Sequence, residues 1–583
     1  MSLLTRLEAG SGNMIKILFE PDENIIRQVR KLPFNRPVGD HWVTFRRHVL
    51  KFLELCEQNN IQTILDPVLQ DFVSSEIARI ESLGRLPTLL ASPIELQLKL
   101  QLAPFQNQGA RFLGLGNKIL ADETGVGKTA QAFIGALAKK KEGIVRRILI
   151  VAPAKVKKEW ANQIEAFTDA TYVVVGGTPK KRIEQLGQSS MVDFTIINYD
   201  LIKVGRGNKF NTSPAKREIE LPSQELEVIL NIGFDLVIFD EVTYAMNRDA
   251  KRTKGADKIA RKAKFAWGLS GTPLMNNLME LFNVVRLIDP TFFGGMSWGE
   301  FAAYYTNAVT GEPIKKKMPE LHKKLAPIML RRLKQDVLPE LPPLVEMNRY
   351  ATLAEHQGRV YRDAEKELKV YLGTKVSDGT PAHLVIKGAL ARLTRLKQIS
   401  AHPRLVGDVE EAHASGKLDL LKDVIANEIP GDDKFIVFTQ FEKMTRILEE
   451  ELKEYGTLKI VGGMSERATE DAKKQFREDP TKRIMLLTTA GGMGLNLQTA
   501  NWVILYDQLY NPQMMKQITD RAHRNGQKKK VSAIWLWTED TVEERIWAIL
   551  KKKKNLFDVV IEGKEEEALA SKLTLDDMRE LMK

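Results

Sequence analysis

A short apolar run, a glycine-rich turn and a helical pattern follow one another at residues 119–139, and this succession constrains the fold more than any other part of the chain. Residues 119–129 are I-L-A-D-E-T-G-V-G-K-T, and a helical pattern extends from Ala130 to Lys139. Such a turn presents free backbone N–H groups at the positive end of a helix, where an anion is stabilised. The segment therefore predicts a strand, a phosphate-binding loop and a helix of an α/β protein.

The residue types of this loop suit a nucleoside triphosphate with Mg²⁺. Gly125 and Gly127 let the backbone close around the β-phosphate, Lys128 directs a positive charge toward the β- and γ-phosphates, and the Thr129 hydroxyl can ligate Mg²⁺. Asp122 stands where the strict pattern G-x-x-x-x-G-K-[ST] has its first glycine, so an ordinary glycine-rich turn remains the alternative. The candidate ATP-binding residues are Gln106, Thr124, Gly125, Val126, Gly127, Lys128, Thr129 and Gln131.

The chain after the loop alternates apolar β-branched runs with helical patterns, which is typical of a parallel sheet with helices on both faces. The runs are residues 147–152, 172–175, 194–198, 236–239 and 264–269.

Two carboxylates, Asp240 and Glu241, follow the fourth of these runs. In parallel sheets the ligand lies at the carboxyl ends of the strands, so this pair is expected beside the phosphate loop. We predict that Asp240, with Thr129, holds Mg²⁺ and that Glu241 deprotonates the attacking water. A helix N-cap pair is the alternative, and the loop at 119–129 argues against it.

Further polar groups are candidates for nucleotide recognition. Gln106 precedes the loop by one short helix, and its amide offers both a donor and an acceptor to an adenine edge. Ser270, Gly271 and Thr272 end the last apolar run, and we expect this small-residue turn to sense the γ-phosphate.

The motifs in this order resemble those of the Swi/Snf-type DNA translocases of helicase superfamily two. Residues 122–129, 240–243 and 269–277 resemble motifs I, II and III of that family. Residues 330–337, L-R-R-L-K-Q-D-V, resemble the block that joins its two motor lobes. Residues 485–496 resemble motif V, and residues 517–527 resemble motif VI.

This resemblance covers about residues 104–561 and implies an α/β fold class, with two tandem RecA-like parallel-sheet lobes, helical insertions and a small N-terminal α+β unit. It also loosely suggests the annealing-helicase subgroup, whose substrate-recognition module the N-terminal unit resembles. The predicted segments are a leader at 1–13, an accessory unit at 14–65, a helical linker at 66–100, lobe 1 at 101–290, helical protrusions and an inter-lobe linker at 291–433, lobe 2 at 434–561 and a tail at 562–583.

The same resemblance assigns roles to individual residues. Arg521 and Arg524 are expected to be arginine fingers that stabilise charge on the transferring phosphoryl group. With Gln517 they are spaced i, i+4 and i+7, which predicts one face of one helix. The catalytic set is Lys128, Asp240, Glu241, Arg521 and Arg524; the coupling set is Ser270, Gly271, Thr272, Gly494 and Gln517; and the DNA-binding set is Lys155, Thr488 and Gly492.

Three positions depart from the family pattern. Val242 and Thr243 stand where family members usually have Ala-His or Ser-His, and that histidine helps to link hydrolysis to DNA movement. Asn525 replaces a usual isoleucine. The absence of the histidine at Val242-Thr243 puts the coupling, and not hydrolysis itself, in doubt, whereas Asn525 is a milder change.

Composition restricts the partners and the compartment. The formal net charge of +12 favours a polyanion partner. The single cysteine, Cys56, excludes an internal disulfide framework and a cysteine-based zinc site, and fits a reducing compartment. With no apolar run near 18 residues and no signal-peptide pattern, we expect no membrane partner. The expected location is the cytoplasm for a bacterial or viral protein and the nucleus for a eukaryotic one.

These inferences predict a monomeric ATP hydrolase with ATP and Mg²⁺ as cofactors. We expect it to translocate on double-stranded DNA and to remodel forks, branches or protein–DNA complexes, in DNA repair or a related process. A motor that displaces polymerase or serves a restriction complex is one alternative. A DNA-binding clamp with an ATP-controlled switch and negligible turnover is another, from a different class.

Overall fold

The structure is a computed structural model that contains four β-sheets and the helices around them. It describes residues 4–9, 14–20, 22–32, 36–45, 49–71, 73–74, 94–207, 219–273, 277–307, 312–378, 382–407, 415–492, 495–553 and 560–561. Within these ranges no helix is long and apolar enough to cross a membrane. The predicted tail at 562–583 lies outside the described residues.

A small α+β unit opens the chain. Its elements are β1 (Leu4–Ala9), β2 (Met14–Phe19), α1 (Glu23–Arg30), β3 (Arg36–Val38), β4 (His41–Phe45), α2 (Val49–Gln58) and β5 (Gln62–Leu65). They form a sheet of order β3-β4-β2-β1-β5, in which β1 pairs with both β2 and β5. The leader predicted at 1–13 is therefore wrong over β1. Thr5 and Leu7 alternate with exposed Leu4 and Arg6, and this period-two pattern is that of a half-buried strand.

Lobe 1 alternates strands and helices, as predicted. Its elements are α3 (Pro104–Gly114), β6 (Lys118–Leu120), α4 (Lys128–Lys141), β7 (Ile148–Ala152), α5 (Lys157–Phe167), β8 (Tyr172–Val174), α6 (Pro179–Gly187), β9 (Phe194–Asn198), β10 (Val204–Gly207), β11 (Ile219–Pro222), α7 (Gln224–Ile232), β12 (Leu236–Asp240), α8 (Lys251–Lys262), β13 (Phe265–Leu269) and α9 (Leu278–Ile288).

The segment between the lobes is mainly helical but also contains strands. Its elements are α10 (Trp298–Tyr305), α11 (Met318–Leu325), β14 (Met329–Leu330), α12 (Lys334–Val337), β15 (Leu344–Ala351), α13 (Glu355–Ser377), α14 (Ala382–Ala401) and α15 (Gly416–Asn427). Lobe 2 continues with β16 (Phe435–Phe438), α16 (Glu442–Glu451), β17 (Thr457–Ile460), α17 (Glu466–Glu478), β18 (Ile484–Leu487), α18 (Thr489–Gly492), β19 (Trp502–Leu505), α19 (Pro512–Thr519), β20 (Val531–Thr538) and α20 (Val542–Lys553).

Both lobes are built on parallel sheets. The strand order is β14-β6-β13-β12-β7-β9-β8 in lobe 1 and β15-β20-β19-β16-β18-β17 in lobe 2. Strand β7 shows why the lobe 1 strands are continuously apolar: Ile148 and Ile150 pack in one core cluster, whereas Leu149 and Val151 pack in another. Because helices cover both faces of the sheet, every side chain of β7 is buried.

The segment at 291–433 contributes strands to the sheets of both lobes. Its predicted description as helical protrusions and a linker is corrected accordingly. Strand β14 adds to lobe 1 beside β6, and β15 pairs with β20 of lobe 2 along its whole length. The C-terminal limit of lobe 2 also differs from the prediction, because Val560 and Ile561 pack in a core cluster of lobe 1. His322 Nδ1 lies 3.0 Å from the carbonyl oxygen of Val560.

Candidate nucleotide site

The phosphate loop joins β6 to α4 and needs both of its glycines. Gly125 and Gly127 have φ angles of 87° and 86°, in the left-handed region that favours glycine. A Cβ atom on Gly125 would lie 2.7 Å from Cβ of Arg524, and one on Gly127 would lie 2.4 Å from Nε2 of Gln106. The loop is therefore closely approached by a lobe 2 arginine on one side and by α3 on the other.

Lys128, the first residue of α4, folds its side chain into the loop. Its Nζ donates hydrogen bonds to the carbonyl oxygens of Asp122 at 2.8 Å and Glu123 at 3.1 Å. Burial lowers the pKa of Lys128, and the negative charges of Glu241, Asp122 and Asp240 oppose that shift. These acidic neighbours keep a cation favourable at this position, where a triphosphate would need one.

Asp122, which departs from the strict loop pattern, is fully buried in an ion pair with the inter-lobe block. Arg332 donates from Nε to Asp122 Oδ1 at 3.0 Å and from Nη2 to Asp122 Oδ2. Gln131 joins this network, since its Nε2 donates to Asp122 Oδ2 at 3.3 Å and its Oε1 accepts from Arg332 at 2.9 Å. The ion pair of Asp122 thus connects the loop to residues 330–337.

Gln106 and Gln131, both predicted to bind ATP, support the loop from behind. The Gln106 side chain accepts a hydrogen bond from the Ala103 backbone N–H at 3.1 Å and donates to the Val126 carbonyl at 3.2 Å. Gln131 is fully buried in α4. The adenine contact of Gln106 and the ATP contact of Gln131 remain predictions.

Strand β12 ends in the predicted metal ligand and general base. Asp240 Oδ2 accepts a hydrogen bond from Trp160 Nε1 at 2.7 Å, and its Oδ1 accepts from the Glu241 backbone N–H at 3.0 Å. Burial, followed by the negative charge of Glu241, raises the pKa of Asp240 to about 6. Glu241 has a φ of 47°, a left-handed conformation that is uncommon for a residue with a side chain and that clusters at functional sites.

The turn after Glu241 contains two of the three departures from the family pattern. Val242 and Thr243 are both buried. Tyr244 stacks on Tyr199 with ring centroids 5.4 Å apart, and the Tyr199 hydroxyl donates to the Asp240 carbonyl at 2.9 Å. The stacked pair of Tyr199 and Tyr244 therefore stabilises this turn. The effect of Val242 and Thr243 on coupling remains a prediction.

The two predicted arginine fingers reach the cleft from a turn and not from a helix face. Helix α19 ends at Thr519, so the predicted single helix through Gln517, Arg521 and Arg524 is wrong. The Asp520 backbone N–H bonds to Lys516, and turns continue beyond it. Burial lowers the pKa of Arg521, and the carboxylate of Glu241 acts most strongly against that shift. Arg521 therefore lies within the electrostatic field of Glu241, the predicted general base.

The predicted coupling residues meet across the cleft. Gln517 Nε2 donates to Thr272 Oγ1 at 2.8 Å, and the Thr272 backbone N–H donates to Ser270 Oγ at 3.1 Å. Gly271 lies so close to the loop that a Cβ atom there would be 2.4 Å from Cγ2 of Thr124. Gly494 lies outside the described residues.

The predicted DNA-binding residues also lie where the lobes meet. Lys155 Nζ donates to the carbonyl oxygens of Val461 at 2.8 Å and Gly491 at 3.4 Å in lobe 2. Thr488 Oγ1 accepts from the Gly491 backbone N–H at 3.3 Å. Thr488 and Gly492 line a small cavity together with Arg521. Their contacts with DNA remain predictions.

Four charged side chains connect the lobes beside the loop. Lys516 Nζ lies 2.6 Å from Glu123 Oε1, and Glu123 Oε2 accepts from the Lys334 backbone N–H at 2.7 Å. Lys334 Nζ forms an ion pair with Asp520 Oδ1, and Thr124 Oγ1 donates to Asp520 Oδ2. Burial opposes ionisation of Glu123, but the charge of Lys516 and the Lys334 N–H outweigh it and lower the Glu123 pKa to about 2.

Comparison with known proteins identifies the family. The family described as SNF2-related domain matches residues 45–405, and the helicase conserved C-terminal domain matches residues 416–526. The chain belongs to the SNF2-related family. The predicted Swi/Snf-type family and the class of helicase-like ATPases are therefore confirmed, whereas the annealing-helicase subgroup remains a prediction.

Relatives of this SNF2-related chain are longer proteins. It is 29% identical over 488 residues to the ISWI chromatin-remodeling complex ATPase ISW1 of Saccharomyces cerevisiae, covering 79% of this chain and 41% of that protein. It is 30% identical over 493 residues to the ATP-dependent DNA helicase DDM1 of Arabidopsis thaliana, covering 79% and 62%. The solved SWI2/SNF2 ATPase core of Sulfolobus solfataricus in complex with dsDNA is 25% identical, covers 84% of this chain and 98% of that chain, and has a TM-score of 0.38.

The oxygen ligands expected for Mg²⁺ in an SNF2-related ATPase are available at the end of β12. Mg²⁺ is usually held by one or two carboxylates together with substrate phosphates and water. Asp240 supplies a buried carboxylate, whose pKa is raised by burial and by the charge of Glu241 although the charge of Lys128 acts against that shift, and Thr129 supplies a hydroxyl. These residue types fit the ion.

Several site residues of this SNF2-related chain were missed from the sequence. Trp160, Arg332 and Asp520 bond directly to the predicted residues Asp240, Gln131 and Thr124, respectively. Lys334 is bonded in turn to Asp520. Lys334 and Asp520 lie within the quoted motif segments, and this was the available signal. Their partners lie up to 396 residues away along the chain, so no local pattern could pair them.

Proposed function

We propose that this chain is an ATP-dependent translocase on double-stranded DNA. The observation that carries the proposal is the meeting of three groups in one cleft: the phosphate loop, the Asp240–Glu241 pair and the arginines of residues 521–524. The loop and the acidic pair belong to lobe 1 and the arginines to lobe 2, so hydrolysis depends on closure of the two lobes. A cycle of closing and opening can then be converted into movement along a polyanion.

The residues divide the hydrolytic work between them. Backbone N–H groups of the loop and the Lys128 amine bind the phosphates of ATP, and the cleft excludes bulk water. Thr129 and Asp240 would hold Mg²⁺, and the ion would supply positive charge to the triphosphate.

Glu241 in lobe 1 and the two arginines of lobe 2 act in the phosphoryl transfer step from opposite sides of the cleft. Glu241 accepts a proton from the attacking water. Arg521 and Arg524 stabilise the negative charge that spreads over the transferring phosphoryl group.

The DNA grip is proposed to be electrostatic and largely independent of sequence. Lys155, Thr488 and Gly492 lie together at the lobe boundary, and the chain carries a net charge of +12. Contacts of this kind with phosphates make binding sensitive to salt.

The task of the motor is proposed to be remodelling of forked or branched DNA or of protein–DNA complexes. The five-stranded N-terminal unit is a separate module that could recognise such structures. Relatives of the chain include a chromatin-remodeling complex ATPase and a TATA-binding protein-associated factor, which favours protein–DNA complexes as the second candidate substrate. The protein would act as a monomer in the compartment that holds its DNA.

The decisive experiment is ATP hydrolysis by the wild type and by Glu241→Gln. Turnover would be measured without nucleic acid and then with duplex, single-stranded and forked DNA and with RNA. We expect stimulation by duplex or forked DNA that Glu241→Gln abolishes, and a preference for forks would favour remodelling of DNA structures. DNA binding with negligible turnover under every condition would replace the motor by a switchable clamp.

A further inference from the structure

We infer that Glu123, Lys334, Lys516 and Asp520 form an inter-lobe charge network that positions the arginine-finger segment 520–525 on the phosphate loop. The inference rests on the proposed function, since positioning matters only if ATP is hydrolysed between the lobes. These four side chains are positioning residues, because each contacts the loop or the finger segment and none is needed to perform the phosphoryl transfer.

The network alternates two acids with two bases across the lobe boundary. Lys516 in α19 meets Glu123 in the loop at 2.6 Å, and Asp520 just beyond α19 meets Lys334 in α12. Glu123 and Lys334 are themselves joined, because the Lys334 backbone N–H donates to Glu123. Each of the two lobe 2 charges is therefore paired with an opposite charge across the lobe boundary.

Burial makes the match of charges obligatory in the closed cleft. The side chains of Lys334 and Asp520 are only 5% and 3% exposed. A buried charge that loses its partner is strongly destabilising. If either Lys334 or Asp520 is replaced, the remaining charge favours an open cleft in which water can solvate it. Lys516, whose side chain is 47% exposed, forms the outer edge of the network and tolerates substitution better.

The contacts bracket both arginines. Asp520 is bonded to Thr124 at the start of the finger segment, and the Asn525 backbone N–H donates to the Gly125 carbonyl at 3.1 Å at its end. Between them, Lys334 Nζ donates to the His523 carbonyl at 2.6 Å. The segment that carries the two arginines is thus fixed to two adjacent residues of the loop. Loss of the network would move the arginines relative to the phosphates.

The first test reverses one charge and then relieves the repulsion. Lys516→Glu places a carboxylate against Glu123 and should lower kcat for DNA-stimulated ATP hydrolysis about tenfold. Adding Glu123→Gln removes the repulsion and keeps an acceptor for the Lys334 N–H. We expect this double variant to recover to the kcat of Glu123→Gln alone. Lys474→Glu is the matched control, because Lys474 belongs to an exposed pair with Glu478 in α17, and its kcat should equal the wild type.

The second test addresses the buried half of the network. Asp520→Asn keeps an acceptor for the Thr124 hydroxyl and removes the charge that pairs with Lys334. We expect a fall in kcat of about tenfold or more with a smaller change in KM for ATP, since the loop that binds ATP belongs to lobe 1. Thermal unfolding would verify that each variant is folded.

Lobe closure can be measured separately from turnover. Cys56 is buried, so cysteines introduced by Lys180→Cys in lobe 1 and Lys453→Cys in lobe 2 can be labelled for energy transfer. Lys516→Glu and Asp520→Asn should reduce the closed population seen with a non-hydrolysable ATP analogue, and Glu123→Gln should restore it in the first variant.

The possible outcomes separate the two proposals. Wild-type kcat and closure in both folded variants, or a double variant that stays as slow as Lys516→Glu, would overturn the network. A wild type that closes on the analogue, and whose closure depends on these charges, but that never hydrolyses ATP would overturn the proposed function and leave the positioning of residues 520–525 intact.

Discussion

The indole Nε1 of Trp160 donates a hydrogen bond to Oδ2 of Asp240 at 2.7 Å, deep in the lobe 1 core. Burial and the adjacent Glu241 charge raise the Asp240 pKa to about 6, and this hydrogen bond acts in the opposite direction by favouring the carboxylate. A residue of α5 therefore helps to keep the predicted metal ligand ionised near neutral pH.

The first prediction concerns the acid limb of ATP turnover. Asp240 must be ionised to hold Mg²⁺, so kcat/KM should fall as pH decreases through about 6. Trp160→Phe removes the donor and should move this limb to higher pH. The measurement is a pH profile at subsaturating Mg²⁺. Saturating Mg²⁺ should reduce the difference between the two proteins, and superimposable profiles at low Mg²⁺ would contradict the prediction.

The second prediction is a gain in stability on loss of the metal ligand. Because the Asp240 pKa is higher in the folded protein than in the unfolded chain, the folded state binds the proton more tightly. The contribution of Asp240 to the free energy of unfolding therefore falls as pH rises from about 4 to about 6. Asp240→Asn should raise the free energy of unfolding by about 1–3 kcal/mol at pH 7.5 without Mg²⁺, and should abolish turnover. Denaturant unfolding at pH 7.5 and pH 4.5 measures this, and the gain should be clearly smaller at the lower pH.

The third prediction is that restoring the strict loop pattern harms this protein. Asp122→Gly introduces the expected first glycine but leaves the Arg332 side chain, which is only 13% exposed, without its carboxylate. We expect a loss of about 3–5 kcal/mol, measured as a lower midpoint of thermal unfolding. The double variant Asp122→Gly with Arg332→Leu should recover part of the loss, because no charge is then left unpaired. A stable Asp122→Gly single variant would show that the ion pair does not stabilise the loop.

The fourth prediction tests the contact between Gln517 and Thr272. Gln517→Leu and Thr272→Val should each reduce DNA-stimulated ATP turnover about fivefold, and the double variant should be no worse than either single variant. Stimulation is measured as the ratio of turnover with and without duplex DNA. Losses that multiply in the double variant would mean that the two side chains act independently.

The fold of each lobe was largely predictable because its strands are buried on both faces. Continuous apolar runs such as residues 148–152 identify parallel strands from composition alone, and the loop at 119–129 fixes the first strand and helix. Strands β1 and β15 were missed for the opposite reason. They are partly exposed and mix charged residues with apolar ones, and only pairing with distant strands makes them recognisable.

The grouping of the candidate site residues in one cleft was predictable, and the geometry around them was less so. Lys128, Asp240 and Glu241 lie beside one another because sheet topology brings loop and strand ends together. The end of α19 at Thr519 was not visible, since residues 517–527 contain no proline and only a late glycine. The ion pair of Asp122 with Arg332 was also hidden, because a charge in a motif does not reveal its partner 210 residues away.

Strands β14 and β15 limit how far the two lobes can move apart. Residues 331–343 are the tether that runs from the sheet edge of lobe 1 to the sheet edge of lobe 2. Fully extended, such a tether spans roughly 45–50 Å. The side chains of Arg331, Arg332 and Lys334 are hydrogen-bonded at the nucleotide site. Only the part of the tether after these residues can therefore change its length while the bonds persist. Lengthening the tether after Val337 would loosen the swing of lobe 2 without touching any group that handles ATP.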